Sequence, residues 1–199
     1  MALDSFPATV ALRDGANVTI TPLQPACTSS LLAFYRHLPE EDRQVLRDDV
    51  TTSDWAEGFM RKVESKEVLS LVAKTGGKVV GEASLYRTLR GWTRHVGEIR
   101  VTVAATHRRK GLATALCSAL VKIATDLGIE KIIVQVVDNQ VGARRIFEKL
   151  GFHKEAVLSH HVMDIAGIKR DLIVLANDVS QIWAAMEAAN QDYAPHLMS

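Results

Sequence analysis

Hydrophobic positions along the chain switch between a period near 3.6 and a period of two, and the switches mark out the elements. Val10 to Leu12 and Val18 to Thr21 flank Arg13-Asp14-Gly15-Ala16-Asn17, which predicts an opening hairpin. From Ser29 to Leu38 the residues Leu31, Leu32, Tyr35 and Leu38 recur at helical spacing. Pro39 stops that helix and suits the first turn of a second one, Glu40 to Arg47. Trp55, Phe59 and Val63 predict a third amphipathic helix. Val68 to Ala73 and Lys78 to Tyr86, separated by Gly76-Gly77, predict a β-hairpin.

Val96 to Val103 alternates apolar and polar residues, the pattern of a half-buried strand. Leu112, Leu116, Leu120, Ile123 and Leu127 then form a helical stripe closed by Gly128 as a C′ residue. Lys131 to Val137 is a β-branched apolar run, expected as a buried strand parallel to the preceding one across a βαβ crossover. Ala143 to Leu150 reads as a short helix stopped by Gly151. Phe152 to Asp164 and Ile168 to Ala176 read as a last hairpin turning at Asp164-Ile165-Ala166-Gly167. Val179, Ile182, Trp183 and Met186 mark a terminal helix, and the tail beyond Ala188 is expected to fray or to pack on a second subunit.

At 199 residues the chain has the length of one domain, without internal repeats or long linkers. Its 24 Lys and Arg against 23 Asp and Glu leave a net charge of +1, which lacks the basic excess of a dedicated nucleic-acid binder. A 47% hydrophobic, 24% charged composition is that of a globular chain and excludes disordered and collagen-like classes. The two cysteines, Cys27 and Cys117, are far apart and form no CxxC pair, so neither a disulfide framework nor a metal is expected. The opening MALDSFPATVALRDG lacks a basic region followed by an apolar core, and no apolar stretch is long enough to span a bilayer. The expected location is cytoplasmic, with neither membrane nor nucleic acid as partner.

The chemistry concentrates where the strand ending at Val103 passes through His107-Arg108-Arg109-Lys110-Gly111 into the long helix. A strand that turns through Gly into a helix leaves backbone N–H groups converging on one point, and the helix dipole favours negative charge there. Gly111 permits close approach, Ala113 keeps the wall low, and Arg108, Arg109 and Lys110 add positive charge. Such a cradle suits a pyrophosphate; taken alone, the same residues also suit a solvated basic loop. Neither GxGxxG nor GxxxxGK[ST] occurs, which argues against a Rossmann or P-loop site.

The spacing Arg108-x-x-Gly111-x-Ala113, with Val101-Thr102-Val103 upstream, resembles the R/Q-x-x-G-x-G/A acetyl-CoA signature of the GCN5-related N-acetyltransferases. Ala143-Arg144-Arg145-Ile146-Phe147-Glu148-Lys149-Leu150-Gly151-Phe152 resembles a second segment of that family. The resemblance covers about residues 15 to 177 of one domain spanning 1–199, followed by a helix at about 178–190. It implies an α/β (α+β) fold: a mixed, mostly antiparallel sheet of six to seven strands, with a central splayed parallel pair and flanking helices. It also implies acetyl-CoA as co-substrate, entering between Val101 to Val103 and Gln135 to Val137. Backbone groups of Val101, Thr102 and Val103 would meet the pantetheine arm and acetyl carbonyl. Arg108, Arg109, Lys110, Gly111, Leu112, Ala113 and Thr114 would hold the pyrophosphate, and Asn139 or Gln140 together with Phe147 would complete the cofactor site.

Two departures narrow the mechanism. Phe147 stands where many members carry a Tyr that protonates the departing thiolate. Gln135 stands where the protein N-terminal acetylating subgroup has a Glu, which disfavours that subgroup. Glu98 then becomes the expected base, on the cofactor strand, matching a Glu of small-molecule acetyltransferases of the phosphinothricin-modifying type; its structural alternative is a strand carboxylate paired with Arg100 or Arg94. Glu82 is the reserve base, and Tyr86 a substitute proton donor or a packing residue. His160 and His161 are expected to face opposite sides of their strand, one of them toward the acceptor pocket or both in solvent. Asp171 reads as structural and Cys117 as a core thiol.

The expected activity is direct acetyl transfer through a ternary complex to a primary amine, either a small molecule or a protein lysine. The alternatives are a non-catalytic acyl-CoA sensor of the same fold and a nucleic-acid-binding loop at His107 to Lys110. A homodimer is expected on general prevalence.

Overall fold

The structure, a computed structural model, describes residues 5–164 and 166–190, with side chains described through residue 185. Eight strands form one sheet: β1 (Ala8–Ala11), β2 (Asn17–Pro22), β3 (Val68–Thr75), β4 (Lys78–Arg87), β5 (Val96–Val103), β6 (Lys131–Val137), β7 (His153–Met163) and β8 (Lys169–Asp178). Their spatial order is β1-β2-β3-β4-β5-β6-β8-β7, with β5 and β6 parallel and the other neighbours antiparallel. The sheet exceeds the expected six to seven strands because short β1 pairs along its whole length with β2, from Ala8↔Ile20 to Ala11↔Asn17.

Cross-strand register sorts the side chains onto two faces. Ser70, Ser84 and Arg100 share one face with Val72, Glu82 and Thr102 and with Tyr86 and Glu98. Helices α1 (Thr28–Arg36) and α3 (Ser53–Glu64) cover that face with Leu31, Phe34, Tyr35, Phe59 and Met60. On the other face lie Ala83, Leu85, Ile99, Ile132 and Val134, under α4 (Leu112–Asp126). The α4 stripe does what its spacing predicts: Leu112, Leu116 and Leu120 are buried. Each such leucine contributes about 1.5–3 kcal/mol of transfer free energy. Gly81 on β4 lets the helix sit close, since a Cβ there would lie 3.3 Å from both Leu112 Cδ2 and Leu116 Cδ1.

The second helix differs from its expected span. α2 covers only Glu40–Arg43, and residues 44–49 continue as turns and bends, so Arg47 lies outside the helix. No α2 residue is buried, so packing gives the helix no reason to propagate. α5 (Val141–Lys149) buries Phe147, and α6 (Val179–Asn190) places Val179 and Ile182 in the core with Trp183 packed against it. The Met186 side chain and the tail at 191–199 lie outside the described residues, as does Ile165 of the last turn. Among the described residues, no helix is long and apolar enough to cross a membrane.

Candidate functional site

β5 and β6 pair only at Val96↔Lys131, Gly97↔Ile132 and Glu98↔Ile133. Beyond Glu98 each strand stays bound to its outer neighbour, β5 to β4 as far as Val103 and β6 to β8 as far as Val137. The central pair therefore splays, and the inner edges of Ile99 to Val103 and Val134 to Val137 have no sheet partner across the gap. A gap edged by unpaired backbone groups can take a ligand that supplies the missing hydrogen bonds. Asp138, just past β6, has a buried Oδ1 without a hydrogen-bond partner, an acceptor that a ligand amide could satisfy.

At the open end of the gap the chain forms the cradle read from the sequence. Arg109 and Gly111 both lie in the left-handed region, at φ 61 and φ 92, and Gly111 is the N-cap of the fifteen-residue α4. Alternating backbone hands of this kind turn successive N–H groups inward, and the helix dipole adds to their pull on an anion. Two of the three basic side chains have partners within the protein. Arg108 donates from Nε to the Val103 carbonyl at 3.0 Å and from Nη2 to Asp42 of α2, while Lys110 pairs with Asp14 of the β1–β2 turn at 2.8 Å. The Lys110 carbonyl also accepts from the Arg13 N–H at 3.0 Å. Arg108 and Lys110 thus brace the loop, and Arg109 beside them is exposed. Leu112 can offer only backbone, since its side chain is in the core, and Ala113 and Thr114 continue the first turn.

Two carboxylates sit on the α1/α3 face of the sheet in different surroundings, Glu98 at the gap and Glu82 one strand away on β4. Glu98 stands where the β5–β6 ladder ends, and its Oε1 is held by Arg100 Nε at 2.9 Å and Arg47 Nη2 at 3.1 Å. The same Arg47 nitrogen donates to Gln135 Oε1 on β6. Arg100 in turn lies over the Tyr86 ring, 4.0 Å from its centroid, and 3.8 Å from Asp48. Glu82 is buried deeper. It accepts from Tyr35 Oη at 2.9 Å, from Ser70 Oγ at 2.6 Å and from the Ser84 hydroxyl. Burial raises its carboxyl above the ordinary range, and the three hydroxyls offset part of that rise. Burial likewise raises the Tyr86 phenol, which therefore holds its proton more tightly than an ordinary tyrosine.

The remaining sequence candidates divide. Gln140 spends its side chain on the β6 end, accepting the Val137 N–H at 2.8 Å, and Asn139 is exposed beside it. Phe147 is 3% exposed, edge-on to Phe152 at 5.5 Å, so its ring is part of the core. Cys117 is buried and its thiol is pushed up to about 12, which removes it as a nucleophile. Arg94 does not hold Glu98; its guanidinium reaches the Gly91 carbonyl at 3.3 Å. β7 bulges between Leu158 and Val162, with His160 at φ 51, so the regular alternation expected of His160 and His161 is interrupted there. Asp171 fixes that bulge by accepting the His160 N–H at 2.9 Å, and both histidines are exposed. Among the described residues, no group of three or more His, Cys, Asp or Glu is placed to hold a metal. The sequence reading missed Asp42, Arg47 and Asp48, which no motif marks; Arg47 and Asp48 lie on the irregular chain beyond the early end of α2.

Comparison with known proteins agrees with this geometry. Solved structures match the fold across most of the chain. One is an acetyltransferase of the GNAT family from Streptococcus pneumoniae, at TM-score 0.72 and 22% identity, covering 81% of this chain and 99% of that one. Mycobacterium smegmatis RimJ, solved with CoA-disulfide, aligns at TM-score 0.73 and 18% identity over 94% of this chain and 96% of its own. Salmonella typhimurium yncA, solved with its cofactor acetyl-CoA, aligns at TM-score 0.71 and 22% identity over 82% and 95%. At these identities the likeness is one of fold. A curated relative from Bacillus subtilis (strain 168), described as a probable N-acetyltransferase, YjcK, is 31% identical over 100 residues, 50% of this chain and 54% of that protein. The match thus spans about half of YjcK's length. Residues 29–152 match the acetyltransferase (GNAT) family, well over half of the chain, and on that match the protein belongs to the GNAT acetyltransferase family.

Proposed function

We propose that the protein is an acetyl-CoA-dependent N-acetyltransferase that passes the acetyl group directly to a primary amine, acting as one domain with its core at about residues 15–177. The observation that carries this reading is the splayed β5–β6 gap opening onto the N-terminus of α4. That N-terminus, with Gly111 and Arg109, holds the pyrophosphate, and the inner edges at Val101 to Val103 hold the pantetheine arm. When bound, acetyl-CoA would supply an activated thioester carbonyl to the acceptor amine.

The chain's own residues then manage the protons. An alkylamine with a pKa near 10 arrives as its ammonium and cannot attack until a base takes a proton. Glu98 is that base, directly or through a water; both arginine contacts fall on Oε1, which leaves Oε2 to receive the proton. Backbone N–H groups of β5 facing the gap polarise the carbonyl as the amine nitrogen bonds to carbon. The C–S bond then breaks, and with Phe147 in the core the sulfur leaves as thiolate, tolerable for a thiol of pKa about 8.5. Cys117 is too buried and too weakly acidic to form an acyl-enzyme, which favours direct transfer.

One observation favours a second reading, a non-catalytic acyl-CoA sensor: Glu98 is already paired with two guanidinia. Glu98→Gln separates the two. Thiol release from acetyl-CoA in the presence of a panel of primary amines should be lost in the variant while calorimetric acetyl-CoA affinity is kept. Equal thiol release by both proteins removes Glu98 as base, and no amine-dependent release by the wild type supports the sensor.

A further inference from the structure

The segment joining α1 to α3, which contains α2, passes over the gap on the α1/α3 face. Its ends are fixed: Leu38 and Val50 are buried, and Arg36 Nε donates to the Thr51 carbonyl at 2.8 Å. Between them, charged side chains reach the site at successive points, Asp42 to Arg108, Arg47 to Glu98 and Asp48 to Arg100. Arg47 is distinctive among these because one nitrogen, Nη2, touches both splayed strands, Glu98 Oε1 at 3.1 Å on β5 and Gln135 Oε1 on β6. Glu98 is the last paired residue of the ladder and Gln135 lies two positions past its partner Ile133. A cationic N–H group is therefore held by one carboxylate and one neutral carbonyl where the strands part. An alkylammonium can donate to the same pair of acceptors. Arg47 remains 40% exposed and sits on irregular chain, so it can swing outward without breaking a helix.

We propose that Arg47 gates the acceptor site: its guanidinium holds the place that the acceptor's ammonium takes, and a cationic acceptor enters by displacing it from Glu98 and Gln135. The proposal rests on the acetyl-transfer reading above. Displacement puts an acceptor N–H on Glu98, the group that must take its proton, and relieves Glu98 of one of its two guanidinia. Arg100 stays, held against Tyr86 and near Asp48. A neutral alcohol brings no charge to replace the guanidinium, so the gate selects amines.

The test compares wild type with Arg47→Ala and Arg47→Gln, using butylamine, 6-aminohexanoate and butanol as probes. Expected is a KM for butylamine lowered about twofold to fivefold in both variants, the scale of one part-exposed ion pair, with acetyl-CoA affinity by calorimetry unchanged. A second readout needs no turnover. With CoA saturating, butylammonium added to nitrogen-15-labelled wild type should move the Arg47 Nε–H resonance, assigned by its loss in Arg47→Gln, toward that of solvent-exposed arginines; butanol should not. The gate is overturned if acetyl-CoA binds but the butylamine KM is unchanged or raised, or no variant turns over any amine faster than wild type. It is overturned equally if the Arg47 resonance stays in place, or if only 6-aminohexanoate loses affinity, which would make Arg47 a ligand for an acceptor carboxylate. Failure of all three proteins to bind acetyl-CoA would instead bring down the transfer reading, and the gate with it.

Discussion

Replacing Glu82 by Gln removes a titratable group from the middle of the sheet while nearly preserving its shape. The wild-type carboxylate is 2% exposed and accepts from Tyr35, Ser70 and Ser84. A Gln can keep both serine bonds on its carbonyl oxygen and turn its NH₂ toward Tyr35 Oη, which can accept. Burial raises the folded-state pKa of Glu82, whereas the unfolded chain has an ordinary glutamate. A raised carboxyl pKa means that the native state binds the proton more tightly. The stability it contributes is fully present below about pH 4.3, the unfolded value, and is lost as pH rises through the folded value. Within that window the slope approaches about 1.4 kcal/mol per pH unit, or about 3–5 °C in Tm for a chain of this size. Asp14, Asp49 and Asp164 have lowered pKa values and act in the opposite direction at lower pH, but they are common to both proteins and cancel in the difference. Urea unfolding from pH 4 to 8 should show Glu82→Gln gaining on wild type as pH rises above the unfolded value, then holding a constant lead. A difference that is flat with pH, or that shrinks as pH rises, would refute the reasoning. Glu82→Leu is the contrasting control, since it strands three hydroxyl donors at about 1–3 kcal/mol each and should be destabilised at every pH.

Leu116→Ala should cost about 2–5 kcal/mol in urea unfolding, because Leu116 is fully buried where α4 meets β4 and the rigid sheet limits collapse of the cavity. Asp42→Asn should cost no more than about 0.5 kcal/mol and lose that effect at high salt, since Arg108 is 42% exposed in the pair. Iodoacetamide at pH 8 should label native Cys27, which is half-buried beside Lys74 Nζ at 3.0 Å, and spare Cys117 until the protein unfolds, as read by mass spectrometry of the two peptides.

Wherever backbone periodicity and packing act together, the sequence was enough. The α4 stripe, the alternating β5 and the β-branched β6 each folded as their spacing required, because a one-residue slip would expose a whole buried face. The left-handed turn at Gly111 was legible for a similar reason: a glycine between strand and helix has few uses other than a positive φ. The roles of Arg108 and Lys110 were not, because charge on a loop says nothing about its partners, and Asp42 and Asp14 come from distant parts of the chain. Arg47 was hidden by a helix that the acidic run Glu40-Glu41-Asp42 promised and that stopped at Arg43 for want of a buried face. The bulge at His160 was equally silent, since it depends on Asp171 across the strand pair.

On the proposed function, the gap and the α4 N-terminus form one acetyl-CoA site. Calorimetric titration of the wild type with acetyl-CoA and then CoA, repeated on Gly111→Glu, tests it most directly. The account predicts micromolar binding of both ligands to the wild type. It predicts a loss of about tenfold or more in the variant, which sets a carboxylate against the pyrophosphate and strains a residue at φ 92. No binding by folded wild type, or equal binding by folded Gly111→Glu, would contradict it.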